Sequence, residues 1–265
     1  MKLGIVFKED NKIAQESTQK AIEFLNSKGA EILKDEKDFK KADYIVIFGG
    51  DGTLIHTASR YIELEVPFVG VNSGNLGFLT AVENADWRSA MENLVSAKVF
   101  LSERITLEAK LEVTGSVYRA INEAAIKSFY RMSEVQISID GTRFLKVLGD
   151  GVIIATQTGS TAYSLSSGGP IVDSDLDSFL VTPINPIGLP IPSVVLSPQK
   201  KIKVKVIRGD DVSLIIDGRE HTKLKEGDEV SLWQGEYKVK FGYFDKQHFL
   251  KSLNAKFGLA ERIAG

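Results

Sequence analysis

The sequence contains no cysteine, which excludes disulfide bonds, thiolate nucleophiles and cysteine-bound zinc, and suits a reducing compartment. It contains no Gly-Lys dipeptide, so there is no Walker A phosphate loop. Neither Gly-x-Gly triplet extends to the dinucleotide fingerprint, because Ile55 and Ile154 stand where its third glycine is required. The histidines His56, His221 and His248 form no His-x-x-x-His pair, the spacing that sets two imidazoles on one helix face for zinc. Asp173, Asp175 and Asp177 imitate the start of a calcium loop, but Ser178 and Ile184 occupy the positions of its glycine and its bidentate glutamate. A Gly-x-Ser-x-Gly nucleophile elbow is missing too. No apolar run approaches the ~18 residues of a membrane span. The opening run Met1–Phe7 is stopped by Lys8-Glu9-Asp10, too early for a signal peptide. The expectation is a cytoplasmic protein that engages no membrane.

What is present is an ordinary globular composition. The 265 residues are 43% hydrophobic and 26% charged, with 33 Lys plus Arg against 35 Asp plus Glu. The length suits one to two domains, and a formal charge of -2 supplies no global field for capturing nucleic acid. Residues 1–99 read as an α/β domain. Apolar runs at Leu3–Phe7, Ala30–Leu33, Tyr44–Phe48 and Phe68–Val71 are strands, and helical spacing marks Ile13–Lys28, Leu54–Ile62 and Trp87–Lys98. Strands alternating with helices imply a parallel sheet covered on both faces. Residues 100–246 change texture to short alternating segments such as Lys201–Val206, with turn chemistry at Asp140-Gly141, Asp217-Gly218 and Gln234-Gly235. Ser231–Phe241 reads as a hairpin about the last of these. Residues 247–265 form a closing segment with helical spacing, packing back on the first domain.

Three stretches carry chemistry. The Tyr44–Phe48 run ends in Gly49-Gly50-Asp51-Gly52-Thr53. Its glycines let backbone N–H groups approach a phosphate, and its one carboxylate sits where open parallel sheets bind ligands. The ordinary alternative is a strand-to-helix turn with Asp as a cap. A second glycine turn, Asn72–Phe78, follows the next strand and falls on the same sheet edge. The segment from Asp150 to Pro170 runs from the apolar stretch Val152–Ala155 into Thr158-Gly159-Ser160-Thr161-Ala162-Tyr163-Ser164-Leu165-Ser166. Such a hydroxyl-rich segment supplies the short donors and acceptors that grip ribose and amide groups. Asn122-Glu123 heads a further apolar run; an amide beside a carboxylate can read a base or chelate ribose hydroxyls, though such pairs are also common in solvated turns.

In this order, Gly49–Thr53, Asn72–Phe78, Asn122-Glu123 and Asp150–Pro170 resemble the NAD kinases over nearly the whole chain. The Thr158–Ser166 segment is specific to them, whereas diacylglycerol kinases, sphingosine kinases and phosphofructokinases carry similar Gly-Gly-Asp-Gly-Thr turns. The resemblance implies a Rossmann-like α/β domain, a β-rich domain of sandwich-like sheets and an active site between them. It also implies transfer of the γ-phosphoryl group of ATP, with a divalent cation, Mg2+, to the adenosine ribose 2′-hydroxyl of NAD. In that picture Asp51 is the general base; a carboxylate is ionised at neutral pH and can accept the hydroxyl proton. Gly49, Gly50, Gly52 and Thr53 form the phosphate loop for ATP. Gly52, His56, Phe78, Asn122, Glu123, Thr158, Thr161, Ala162, Tyr163, Ser166 and Asn185 contact NAD. Asp150 approaches the nucleotide of a neighbouring subunit, which implies a homo-oligomer, often a homotetramer. Arg131 is a candidate phosphate partner, since a guanidinium binds phosphate through two donors. The chain departs from the pattern at Leu148, where relatives often carry a basic residue, at Arg219, where they often carry Gln, and at Pro183–Gly188, which lacks a common histidine. A lipid kinase sharing the glycine turn is disfavoured because no membrane-docking helix is evident, and a non-catalytic NAD sensor because it has no need of Asp51.

Overall fold

The computed structural model describes residues 1–74, 77–188 and 190–258. They fall into two compact units: Met1–Glu103 joined by the chain from Val239 onward, and Arg104–Lys238. The order through the first unit is β1 (Lys2–Phe7), α1 (Lys12–Ser27), β2 (Glu31–Leu33), β3 (Tyr44–Phe48), α2 (Asp51–Tyr61), β4 (Phe68–Asn72), β5 (Val82–Glu83), α3 (Trp87–Val95) and β6 (Phe100–Arg104). Strands β2, β1, β3 and β4 pair parallel in that spatial order. Ile45, Val46, Ile47 and Phe48 are all fully buried, as a parallel strand covered on both faces requires. Helix α1 opens on Asn11, whose side chain accepts the Ala14 N–H, and gives way at Gly29, which sits at φ 77°. That left-handed turn carries little steric cost in glycine.

The second unit contains β7 (Leu107–Leu111), β8 (Val117–Ala120), β9 (Glu123–Ser128), β10 (Ser133–Ile139), β11 (Thr142–Gly149), β12 (Gly151–Thr156), α4 (Tyr163–Ser166), β13 (Phe179–Ile184), β14 (Val194–Leu196), β15 (Ile202–Arg208), β16 (Val212–Ile216), β17 (Arg219–Leu224) and β18 (Glu229–Gln234). They make two sheets, β11-β10-β15-β18-β7-β8 and β14-β13-β12-β9-β16-β17, antiparallel in the pairings described. Aliphatic side chains of both sheets close one core, with Val135, Val204 and Leu232 from the first and Ile126, Ile154 and Val181 from the second. The second sheet also buries its outer face. Ala125, Ile153, Ala155, Leu180 and Ile184 lie there with Val172, and Tyr163 packs on them. This explains the unbroken apolar run in β12: it is an antiparallel strand covered on both sides.

The hairpin expected over Ser231–Phe241 does not form. Strand β18 pairs with β15 and β7, whereas β19 (Val239–Tyr243) returns to the first unit, beside β4 with Phe241 opposite Phe68. The Gln234-Gly235 dipeptide is therefore an exit from the sandwich, and the first unit begins again at Val239 rather than at residue 247. The reason is that β4 has a pairing edge to satisfy and Val239 and Phe241 are apolar enough to be fully buried beside it. Helix α5 (His248–Phe257) then closes the described chain. Truncating a fully buried aromatic removes its transfer energy and leaves a cavity. Phe241→Ala is expected to lose about 3–5 kcal/mol of unfolding free energy, read as a lower urea midpoint at unchanged slope.

Candidate active site

In the first unit the glycine turn after β3 becomes the first turn of α2, with Asp51 as its first residue and Gly50 as its cap. The Asp51 carboxylate accepts three consecutive backbone N–H groups from the second glycine turn: Phe78 to Oδ2 at 2.6 Å, Leu79 and Thr80 to Oδ1 at 3.1 and 3.2 Å. Gly77 is required for this approach, since a Cβ there would stand 2.2 Å from Asp51 Oδ1. Asn72 shapes the same turn by accepting the Gly74 N–H at 3.1 Å and donating to the Glu83 carboxylate at 3.0 Å. Residues 75 and 76 of that turn lie outside the described residues. Phe78 is buried, with Phe257 of α5 at 5.9 Å between ring centroids and the Lys256 ammonium 4.0 Å from its ring centre. Helix α5 thus covers the turn that holds Asp51.

The four proposed phosphate-loop residues are not equivalent. The Gly49 N–H donates to Val71 O at 3.0 Å, and the Thr53 N–H to Gly50 O at 3.0 Å, so these two donors are already committed. Gly49 is needed for another reason: a Cβ there would meet the Thr53 side chain at 2.7 Å. Gly52 faces open space. The open space in the loop therefore lies at Gly50 and Gly52. His56 is exposed one turn further along α2.

In the second unit the polar residues converge around the start of β9. The Asp217 carboxylate accepts the N–H groups of Ile121, Asn122 and Glu123 at 2.9, 2.8 and 3.1 Å, while its own N–H donates to Glu123 O at 3.0 Å. Asp217 adopts φ 46°, a left-handed conformation that Asp tolerates at turns. The Asn122 carbonyl accepts the Thr156 N–H at 2.9 Å, and Gly159 presses so closely on Asn122 that a Cβ would lie 2.2 Å from its carbonyl oxygen. The Thr156 hydroxyl donates to Ile121 O at 2.6 Å and accepts from Thr158 N–H at 3.1 Å. The hydroxyl-rich segment is thereby locked against Asn122-Glu123. Buried polar atoms nearly always find partners. Yet Asn122 Oδ1, Glu123 Oε2 and Thr158 Oγ1, with the neighbouring Gln157 Oε1, are buried without one.

Burial pushes the Glu123 carboxyl up to about 8, reinforced by the charge of Asp217 and opposed by a hydrogen bond from the Tyr163 backbone. Asp217 is also raised by burial, against the three N–H groups that favour its charge. Thr161 closes the short helical turn at 158–161, Ala162 links it to α4, and Tyr163 and Ser166 lie in α4. Asp150 and Asn185 come together separately, Asn185 Nδ2 donating to Asp150 Oδ2 at 2.7 Å. Arg131 sits on the exposed turn after β9, where its guanidinium pairs with Asp210 at 3.3 Å. From the sequence Asp217-Gly218 has only turn chemistry. This dipeptide marks the left-handed bend, but nothing local reveals which N–H groups the Asp217 carboxylate serves.

The folded protein holds the Glu123 proton up to about pH 8, and an ordinary glutamate loses it near 4.5. Between these values the folded state binds more protons than the unfolded chain, so stability falls as pH rises through this window. Glu123→Gln is expected to flatten that fall by up to about 1.4 kcal/mol per pH unit, measured by urea unfolding across the window, with Asp217 leaving a residual slope of the same sign.

The chain is similar to known proteins in both sequence and fold. Residues 5–99 match the family model described as the ATP-NAD kinase N-terminal domain, and residues 121–243 that described as the ATP-NAD kinase C-terminal domain. An NAD kinase of Fusobacterium nucleatum is 33% identical over 267 residues, covering 99% of both chains. An NAD kinase of Clostridium botulinum is 34% identical over 90% of this chain and 85% of its own. The crystal structure of an NAD kinase from Archaeoglobus fulgidus in complex with ATP superposes with a TM-score of 0.77 at 26% identity, covering 100% of both chains. Yeast NADH kinase complexed with NADH has the same fold, with a TM-score of 0.86 at 23% identity over 100% of this chain and 89% of its own. Full-length likeness to curated relatives, with both domain models matched in order, places this chain in the NAD kinase family.

Proposed function

We propose that this chain is an NAD kinase, transferring the γ-phosphoryl group of ATP to the 2′-hydroxyl of the adenosine ribose of NAD to give NADP. The observation that carries the reading is the trio of buried, unpartnered acceptors Asn122 Oδ1, Glu123 Oε2 and Thr158 Oγ1 in a chain of this family. Hydroxyl and amino groups of a nucleoside satisfy such acceptors, and a site built to hydrogen-bond its ligand discriminates strongly against analogues lacking those donors. Glu123 with its proton retained also offers a donor. Asn122, Glu123, Thr158, Thr161, Ala162, Tyr163 and Ser166 are assigned to NAD, and Gly50 and Gly52 to phosphate.

Asp51 is assigned as the general base. A carboxylate has about four lone-pair sites, and three N–H groups occupy Asp51's, leaving room for one hydroxyl. As the 2′-oxygen bonds to the γ-phosphorus, the bond to the β,γ-bridging oxygen breaks, ADP leaves and the hydroxyl proton passes to Asp51. Positioning and charge neutralisation supply most of the remaining acceleration in phosphoryl transfer. Among the described residues no group of three or more His, Asp or Glu is placed to hold a metal ion; the divalent cation is accordingly assigned to the Mg–ATP substrate. The family resemblance supports Asp150, steadied by Asn185, reaching a neighbouring subunit's nucleotide in a homo-oligomer, a homotetramer. It supports a cytoplasmic location too; among the described residues no helix is long and apolar enough to cross a membrane.

The test is NADP formation from NAD and ATP with Mg2+. The wild type is expected to form NADP, and no product above background removes the reading. Asp51→Asn offers one acceptor oxygen where three N–H groups converge and cannot take the proton, so kcat is expected to fall about 10²–10⁴-fold. Activity equal to wild type would remove Asp51 as the base.

A further inference from the structure

Lys127 lies in β9 four residues after Glu123, opposite Gly151 of β12 and Ser213 of β16. It is half-buried, and the structure gives its ammonium two kinds of contact. It donates to the Tyr163 hydroxyl at 3.1 Å. It also stands 5.0 Å from the Phe129 ring centre and 5.4 Å from that of Tyr163. An ammonium 3.1 Å from the hydroxyl oxygen but 5.4 Å from the ring centre sits beyond the hydroxyl end of Tyr163, not over its face. The two strands run close together here, and a Cβ on Gly151 would lie 2.1 Å from Ile126 O. Gly151 runs beside Lys127 at φ 148°, and the same Cβ would lie 2.7 Å from Lys127 Cα and 2.9 Å from Lys127 Cβ. Lysine ammonium groups normally reach water or a carboxylate. This one donates to a phenol, and the phenol belongs to the segment fastened to Asn122-Glu123.

We infer that Lys127 is a positioning residue for nucleotide binding: its ammonium pins the hydroxyl end of Tyr163, fixing the ring as a flat platform against which the base or ribose of the substrate lies. The inference rests on the assignment of Tyr163 to the NAD site. Tyr163 packs on the buried cluster that contains Ala125, Ile153 and Ala155, and an aromatic platform stacks well only when its tilt is set beforehand. A charge-assisted hydrogen bond at the far end sets that tilt. Phe129 gives the same ammonium a second contact, its ring centre 5.0 Å away.

The test measures NAD affinity by equilibrium titration alongside steady-state kinetics. Lys127→Met keeps the stem and removes the donor; the NAD Kd and KM are expected to rise about tenfold, with kcat changed far less, because the contact is lost equally in ground and transition states. Tyr163→Phe is expected to give a similar rise, and Lys127→Met combined with Tyr163→Phe no further rise, since both remove one interaction. Lys127→Arg is expected to restore affinity to within about threefold of wild type, a guanidinium supplying the same donor. Kd unchanged in Lys127→Met, or effects of the two substitutions that multiply, would overturn the inference. So would a Lys127→Met protein whose weaker binding is matched by an equal fall in kcat and a lower melting temperature, the mark of a merely structural lysine. Wild-type binding of NAD without turnover would remove the kinase reading and leave the Lys127 titration standing. Wild-type protein that binds no NAD removes both.

Discussion

The arrangement of polar groups in the second unit depends on one carboxylate. Asp217 takes the N–H groups of Ile121, Asn122 and Glu123 at the point where β9 begins, and returns its own N–H to Glu123 O. The chain entering β9 would otherwise present three donors to an apolar interior, each costing about 1–3 kcal/mol if left unpaired. With those donors satisfied, Asn122 and Glu123 can turn their side-chain oxygens to other partners. Gly159 and Thr156 then fasten the hydroxyl-rich segment to the Asn122 backbone.

The first unit uses the same device in a different place. Asp51 gathers the N–H groups of Phe78, Leu79 and Thr80, tying the turn after β3 to the turn after β4. In both units a carboxylate from one turn collects consecutive amides of another, which makes two separate loops one rigid object. The consequence differs. Asp217 is buried and raised by desolvation, whereas Asp51 stands at the first turn of α2 beside the open Gly52. An enzyme site needs groups held without depending on the substrate for order, and backbone N–H groups provide that because they are fixed by the sheet and helix behind them.

Burying Glu123 beside Asp217 works against folding at neutral pH, since two carboxyl groups share a poorly solvated space. The unpartnered acceptors Asn122 Oδ1 and Thr158 Oγ1 add to that cost. Such local conflict is expected where a structure is shaped for a ligand, with the surplus stability coming from the aliphatic sandwich beneath it.

Much of this was legible in the residues. The β-branched run Tyr44–Phe48 is a strand with the bounds expected, the glycine turn after it opens a helix, and the Thr158–Ser166 segment does meet Asn122-Glu123. These are local matters: burial fixes the period of apolar residues, and glycine marks where backbones must approach. The resemblance added which motifs belong together. The sequence by itself thus determined the strands of the first unit, its glycine turns and the family. Only the tertiary structure decided that Val239–Tyr243 leaves the sandwich for the parallel sheet, because a strand's partner is chosen by the edge available and not by its own alternation. It also decided that Gly49 spends its N–H on β4, that Arg131 faces Asp210, and that Asp217 and Lys127 serve residues far along the chain. A side chain's chemistry is written in its type, but its partner is set by strand register, and register is a property of the whole fold.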